Sequence, residues 1–75
     1  MSQRIFHILI AEDMETTVDL MKYYLNKEFS NLDISVVGTP DPALSDKELR
    51  ARNKHLLSFR YDLAIIDFNM PYHFF

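Results

Sequence analysis

The chain has 75 residues, a length that suits one small domain covering residues 1–75. It contains no cysteine, which excludes disulfide bonds and thiolate metal sites. The net charge of −3, with acids and bases interspersed, argues against non-specific binding to nucleic acid. No apolar run approaches the roughly 20 residues that span a bilayer, and the N-terminus lacks a signal-peptide pattern. We therefore expect a soluble, cytoplasmic protein.

The first predicted strand covers residues 5–11, a nearly continuous apolar run rich in isoleucine. Such a run is typical of strands that are buried on both faces, as in parallel sheets. Glu12 and Asp13 follow it directly. An amphipathic helix is predicted next, because apolar residues recur there at spacings of three and four: Met14, Val18, Met21, Leu25 and Phe29. Asp13 is the predicted cap of this helix, and Asn31 marks its predicted end.

The second predicted strand covers residues 34–37 and is less uniformly apolar than the first. A glycine and two prolines within residues 38–42 then interrupt any regular pattern. Ser45 and Glu48 have the spacing of a capping box, so a second helix is predicted to begin there and to end near Arg60. Its predicted buried side carries Leu49, Leu56 and Phe59, with Leu57 adjacent.

The third predicted strand covers residues 63–67 and completes a β-α-β-α-β alternation. This alternation predicts an α/β fold with a parallel sheet and crossover helices. The first strand is the most apolar and the second the least, which favours the order 2-1-3 with the first strand in the centre. Right-handed crossovers then place the two helices on opposite faces of the sheet.

Three acids follow the predicted strands. Glu12 and Asp13 come after the first strand, and Asp67 ends the third. Carboxyl ends of neighbouring parallel strands meet at one edge, where such sheets bind ligands. A carboxylate at the tip of a buried strand is costly without a partner, so the three acids together predict a cation site. Two simpler interpretations stay open: Glu12 and Asp13 as acids that stabilise a helix start, and the three acids as a structural ion cluster.

The acids stand in a recognisable context. Residues 8–13 read ILIAED, and residues 61–71 read YDLAIIDFNMP. An acidic pair after the first strand, combined with D-x-x-M-P after the third, resembles the receiver domain of bacterial two-component response regulators. The resemblance covers residues 5–71 and implies a flavodoxin-like, receiver-type fold that is truncated after its third strand. It also implies a cytoplasmic phosphoprotein of a phosphorelay.

The resemblance implies a role for each matching residue. Asp67 would accept the phosphoryl group from a phosphohistidine on a histidine kinase or phosphotransfer protein. Mg²⁺ would be bound by Asp13 directly, with help from Glu12, the acceptor Asp67 and the backbone carbonyl of Asn69. Mg²⁺ takes oxygen ligands and needs only one or two carboxylates, which suits this set. Two further residues would shape the turn after the acceptor: Met70 and Pro71.

A complete receiver has two more strands, which supply a Thr or Ser and a Lys to the phosphoryl group. The four lysines of this chain all lie on predicted helices: Lys22, Lys27, Lys47 and Lys54. We therefore expect a phosphoacceptor rather than a turnover enzyme, and inefficient phosphorylation. One alternative is an interaction module that is not phosphorylated and docks a kinase or regulator through its first helix. Another is a phosphatase of the haloacid-dehalogenase type, which expects an aspartate where Asn69 stands.

The third strand is central in a complete receiver and lies at an edge in this prediction. An unpaired apolar edge invites pairing with another chain. We therefore expect self-association through this edge and the aromatic residues 72–75. The alternative for residues 72–75 is a frayed chain terminus.

Overall fold

The computed structural model describes residues 4–67, which form three strands and two helices in the predicted order. The elements are β1 (Phe6–Ala11), α1 (Glu15–Glu28), β2 (Leu32–Val37), α2 (Asp46–Leu57) and β3 (Leu63–Ile66). The strands pair in parallel in the order β2-β1-β3. The prediction of an α/β fold with β1 in the centre is confirmed, and the arrangement matches a three-stranded portion of the flavodoxin-like topology.

The register aligns the three strands so that they end together at one edge of the sheet. Ile10 of β1 pairs with Val36 on one side and with Ile65 on the other. The last residue of β1, Ala11, pairs in the same way with Val37 and Ile66. Residues that directly follow β1 and β3 are therefore brought to the same edge.

The core lies on both faces of the sheet, and one helix covers each face. Ile8 and Ile10 pack with Val18 of α1 on one face. Leu9, Ala11 and Val37 form a second cluster on the other face, against which two further side chains pack, Leu56 of α2 and Tyr61. This confirms that the two helices lie on opposite faces. Alternating side chains of β1 serve both clusters, which explains why its sequence is apolar throughout.

Helix α1 is shorter than its sequence pattern predicts. In the described part of the chain, Met14 is its N-cap residue and no side-chain capping bond is made, so the prediction that Asp13 caps the helix is wrong. Met14 is 58% exposed and does not belong to the core. The helix ends at Glu28, and Asn31 has a φ of 58°, a left-handed conformation that asparagine tolerates. The backbone N–H of Phe6 donates to the Asn31 carbonyl at 2.9 Å, which ties this turn to β1.

Helix α2 begins as predicted and ends early. The Glu48 N–H donates to Ser45 Oγ at 3.2 Å, and the Ser45 N–H donates to Glu48 Oε1 at 3.3 Å, which confirms the capping box. Ser58 is the C-cap, so the helix stops before Arg60. Phe59 is 54% exposed, and the predicted buried side is wrong for this residue because it lies beyond the last helical turn.

Strand β3 is the least covered part of the sheet. Its first and last residues, Leu63 and Ile66, are 44% and 50% exposed. Both helices pack against β2, on the far side of β1 from β3. Neither helix of residues 4–67 is long and apolar enough to cross a membrane.

Candidate functional site

The structure brings Glu12, Asp13 and Asp67 together at the carboxyl edge of the sheet. One carboxylate oxygen from each lies within 4.8 Å of the other two. The backbone fixes this arrangement on both sides of β1. The Glu12 N–H donates to the Val37 carbonyl at 3.0 Å, and the Asp67 N–H donates to the Ala11 carbonyl at 2.9 Å. Backbone bonds between the central strand and each outer strand therefore hold these strand tips, and the acids that follow them, in register.

Glu12 is buried, with only 5% of its surface exposed. It continues the central strand, so neighbours on both sides shield it. Its Oε1 accepts the N–H of Asp13 at 3.1 Å and that of Met14 at 3.2 Å. Glu12 therefore shapes the turn that carries Asp13, and it occupies the donors that lie immediately before α1.

Burial raises the pKa of the Glu12 carboxyl above its ordinary value. A hydrogen bond with the Asp13 side chain and the negative charge of Asp67 raise this pKa further. The Met14 and Asp13 N–H groups oppose this rise because they stabilise the charged form. A carboxylate that is both shielded and repelled gains from a nearby positive charge. The electrostatics of this edge therefore favour a cation.

The donor set fits a hard divalent cation. Carboxylate oxygens are the ligands that Mg²⁺ prefers, and the ion usually keeps several waters of its own. Separations of up to 4.8 Å between the oxygens suit an ion that is held partly through those waters. Asp13 and Asp67 are partly exposed, which leaves a side of the site open to solvent. The residues present therefore match the chemistry of Mg²⁺.

Several residues that the sequence assigns to this site lie outside the described residues. They are Asn69, Met70 and Pro71, together with the aromatic residues 72–75. Their implied roles stay predictions. The four lysines are all within the described part of the chain and all lie on helices, Lys22 and Lys27 on α1 and Lys47 and Lys54 on α2.

Arg52 makes a supporting contact near this edge that the sequence pattern does not predict. Arg52 Nη2 donates to the Thr39 carbonyl at 2.8 Å, in the loop that follows β2. Arg52 also donates to Asn53 Oδ1, at 3.1 Å from Nη2 and 3.3 Å from Nε. Asn53 is fully buried, at 0% exposure. The burial of Asn53 could be expected from its position four residues after the buried Leu49, on the inward face of α2.

Two cavities lined by residues of the described part of the chain lie at the opposite end of the strands. One of about 480 Å³ is lined by the first residues of all three strands, Phe6, Leu32 and Leu63. Another of about 410 Å³ borders His7, whose Nδ1 lies 3.0 Å from Asp33 Oδ2. These residues belong to the amino ends of the strands, so the acids stand apart from both cavities.

The candidate site therefore consists of Glu12, Asp13 and Asp67 at the carboxyl edge of the sheet. No protein-family model, no curated protein and no solved structure matches this chain. A function for the protein therefore has to follow from three carboxylates, their burial and the strands that carry them.

Proposed function

We propose that this protein is a receiver-type phosphoacceptor of a two-component phosphorelay, with Asp67 as the acceptor and Mg²⁺ as its cofactor. The observation that carries the proposal is the convergence of Glu12, Asp13 and Asp67 within 4.8 Å at the carboxyl edge of a parallel sheet. The flavodoxin-like strand order supports it, because ligands of such sheets bind at this edge, between the first and third strands.

The proposed step is a transfer between two nucleophiles. An Asp67 carboxylate oxygen attacks the phosphorus of a phosphohistidine and forms a new O–P bond. The N–P bond breaks, and the departing imidazole nitrogen takes the electron pair and then a proton. When bound, Mg²⁺ would neutralise charge on the transferring phosphoryl group and on the acids around it.

The protein's part in this step is to hold its carboxylates in place. Asp67 directly follows β3, and its N–H is bonded to the Ala11 carbonyl at 2.9 Å, so its backbone is fixed relative to β1. Asp13 directly follows Glu12, whose side chain accepts two N–H groups of the same turn. Glu12 is therefore a positioning residue for Asp13, and its charge adds to the attraction for the cation.

The test is phosphorylation by a small molecule. The protein is incubated with Mg²⁺ and a small acyl phosphate, and its intact mass is measured. We expect wild type to gain the mass of one phosphoryl group, Asp67→Asn to gain none, and Asp19→Asn, a matched change on the exposed surface of α1, to behave like wild type. Removal of Mg²⁺ with a chelator should abolish the gain. A wild type that gains no mass, or an Asp67→Asn variant that still does, contradicts the proposal.

The time course of this experiment is part of the expectation. Phosphoryl transfer is accelerated by positive charge that is already in place at the site. The lysines of the chain lie on α1 and α2 rather than in the loops at the acidic edge. We therefore expect slow labelling, followed over hours rather than seconds.

A second candidate is an interaction module that is not phosphorylated. The outer side of α1 favours it, since Leu20, Tyr23 and Tyr24 are 55%, 61% and 55% exposed there. The two tyrosine rings stand edge to face, with centroids 5.4 Å apart. Such a module would bind a histidine kinase equally well as wild type or Asp67→Asn and would lose affinity on Tyr23→Ala. Binding that depends on Asp67 instead favours the phosphoacceptor.

A further inference from the structure

The second edge of β3 is open in the structure. Within residues 4–67, β3 pairs with β1 on one side and with no strand on the other. Three of its four residues are exposed, and they lie on both faces of the sheet, whereas Ile65 is half-buried against the core. Leu63 pairs with Ile8 and shares the α1 face, whereas Ala64 and Ile66 lie on the α2 face. This edge therefore presents both unpaired backbone and apolar side chains to its surroundings.

The opposite edge of the sheet, formed by β2, differs from the β3 edge because it carries a charged side chain. Strand β2 carries Asp33, which is exposed and interacts with His7 of β1. Charged side chains on edge strands are a common protection against pairing with other chains. The four residues of β3, Leu-Ala-Ile-Ile, carry no charge. In β2 the charged residue lies within the strand, whereas the charges nearest to β3, Asp62 and Asp67, only flank it, so β3 itself is suited to receive another strand.

We propose that β3 pairs antiparallel with β3 of a second copy of this chain, about a two-fold axis that passes through Ala64. Directly opposed residues in a sheet must lie on the same face, because side chains alternate with a period of two. In this register Ala64 faces its own counterpart, and Leu63 faces Ile65 of the second copy. At the axis the two Ala64 side chains are direct neighbours on one face of the joined sheet.

The distribution of charge is compatible with this register. With the axis at Ala64, Asp62 lies opposite Ile66 of the second copy, so no acid faces another acid. A shift by one residue would set Asp62 against Asp67, a repulsive pair. It would also set Leu63 against Ile66, whose side chains point to different faces. Pairing about Ala64 avoids both conflicts.

The size of the core explains why a second copy would stabilise this molecule. Among residues 4–67, seven hydrophobic residues are buried and eleven large hydrophobic residues are exposed. A core with so few buried side chains gains stability when further apolar surface is buried. Edge pairing would join two three-stranded sheets into one of six strands and would cover part of the exposed Leu63 side chain of both copies, which lies opposite Ile65. A four-residue strand buries less than the roughly 800 Å² per partner of a standard interface, so the dimer should depend on concentration.

Single-cysteine crosslinking tests the register. The chain has no cysteine of its own, so any disulfide that forms must join the introduced cysteines of two copies. Directly opposed residues have Cβ atoms roughly 4.5–5.5 Å apart, close to the span of a disulfide. Under mild oxidation we expect Ala64→Cys to form a covalent dimer at least ten times faster than Ala51→Cys, a matched change at an exposed position of α2. Equal rates for the two variants overturn the proposed pairing.

Sedimentation tests the association itself. From low to high micromolar concentration, the measured mass of the wild type should rise from the 8.9 kDa monomer towards twice that value. Ala64→Lys should abolish the rise because it sets two ammonium groups together at the axis, whereas Ala51→Lys should not. A wild type that stays monomeric, as it would if another segment of the chain covered this edge, overturns the proposal. If Ala64→Lys fails to fold by circular dichroism, the crosslinking rates and the wild-type mass still decide the question.

Discussion

Glu12 carries a carboxyl group that is shielded from water at the tip of the central strand. Its pKa is raised in the folded protein, mainly by burial, so the folded state holds this proton more tightly than the unfolded state does. The free energy of unfolding should therefore fall as pH rises from the ordinary glutamate pKa of about 4.3 to the raised folded-state value, and then level off. This is the opposite of the behaviour of an acid that is paired with a base.

Comparison with Glu12→Gln isolates this contribution. The glutamine Oε1 can still accept the N–H groups of Asp13 and Met14, and it carries no charge. Without divalent ions at neutral pH, we expect Glu12→Gln to be more stable than wild type in urea unfolding. The difference should shrink as pH falls through the folded-state pKa and then below about 4.3, the ordinary glutamate pKa, because well below that pH the wild-type carboxyl is protonated in both states.

Magnesium should reverse the ranking. An ion that binds only the folded state adds about 2.7 kcal/mol at a concentration one hundred times its dissociation constant. Wild type should gain this stability and Glu12→Gln should gain less, while Asp19→Asn should gain as much as wild type. Equal gains for wild type and Glu12→Gln would show that Glu12 takes no part in binding the ion.

At the level of single residues, the sequence located the acids better than it described their surroundings. The meeting of Glu12, Asp13 and Asp67 follows from the strand tips alone, because parallel neighbours end at one edge. The full burial of Asn53 does not follow in this way. A polar residue is buried only where specific partners satisfy it, and here Arg52 approaches from the same helix. Such partners depend on packing that periodicity does not encode.

At the level of elements, the start of α2 rests on reciprocal bonds between Ser45 and Glu48. We expect Ser45→Ala to lower the free energy of unfolding by about 1 kcal/mol, because an N-terminal backbone N–H loses its acceptor. Ser58→Ala, at the other end of the same helix, is the control. Its hydroxyl donates to the His55 carbonyl at 2.6 Å on the exposed surface, and the expected loss is smaller. If both variants lose the same free energy of unfolding in urea, the capping box stabilises the helix no more than the Ser58 hydroxyl does.

Helix ends separate what local sequence can specify from what it cannot. The capping box is a local signal, and it placed the start of α2 correctly. Helix α1 has no comparable side-chain signal, and its predicted first residue, Met14, turned out to be an exposed N-cap. The apolar spacing, which Phe59 continues, predicts an end of α2 near Arg60, whereas the last helical residue is Leu57. Tyr61 packs against the sheet cluster instead, a contact that depends on where the chain turns into β3.

At the level of the whole molecule, stability should be concentrated in the centre of the sheet. Ile10 is fully buried in β1, whereas Ile66 is 50% exposed in β3. We expect Ile10→Val to cost about 1 kcal/mol of unfolding free energy, and Ile66→Val to cost about half of that or less. Urea unfolding should be measured at the lowest workable protein concentration, so that the monomer is compared. Similar costs at both positions would mean that β3 is better covered than its exposed fractions indicate.

The pairing of β1 with β3 also bears on how the molecule assembles. Strands β1 and β2 are joined by a single helix and are close together in the sequence. Strand β3 pairs with β1 although α1, β2 and α2 lie between them in the chain. Closing a long loop is slower than forming local contacts, so we expect β3 to dock last. Asp67 arrives with it. The acidic site would then exist only in the completed fold, and no partly folded intermediate that lacks β3 could bind an ion there with all three carboxylates.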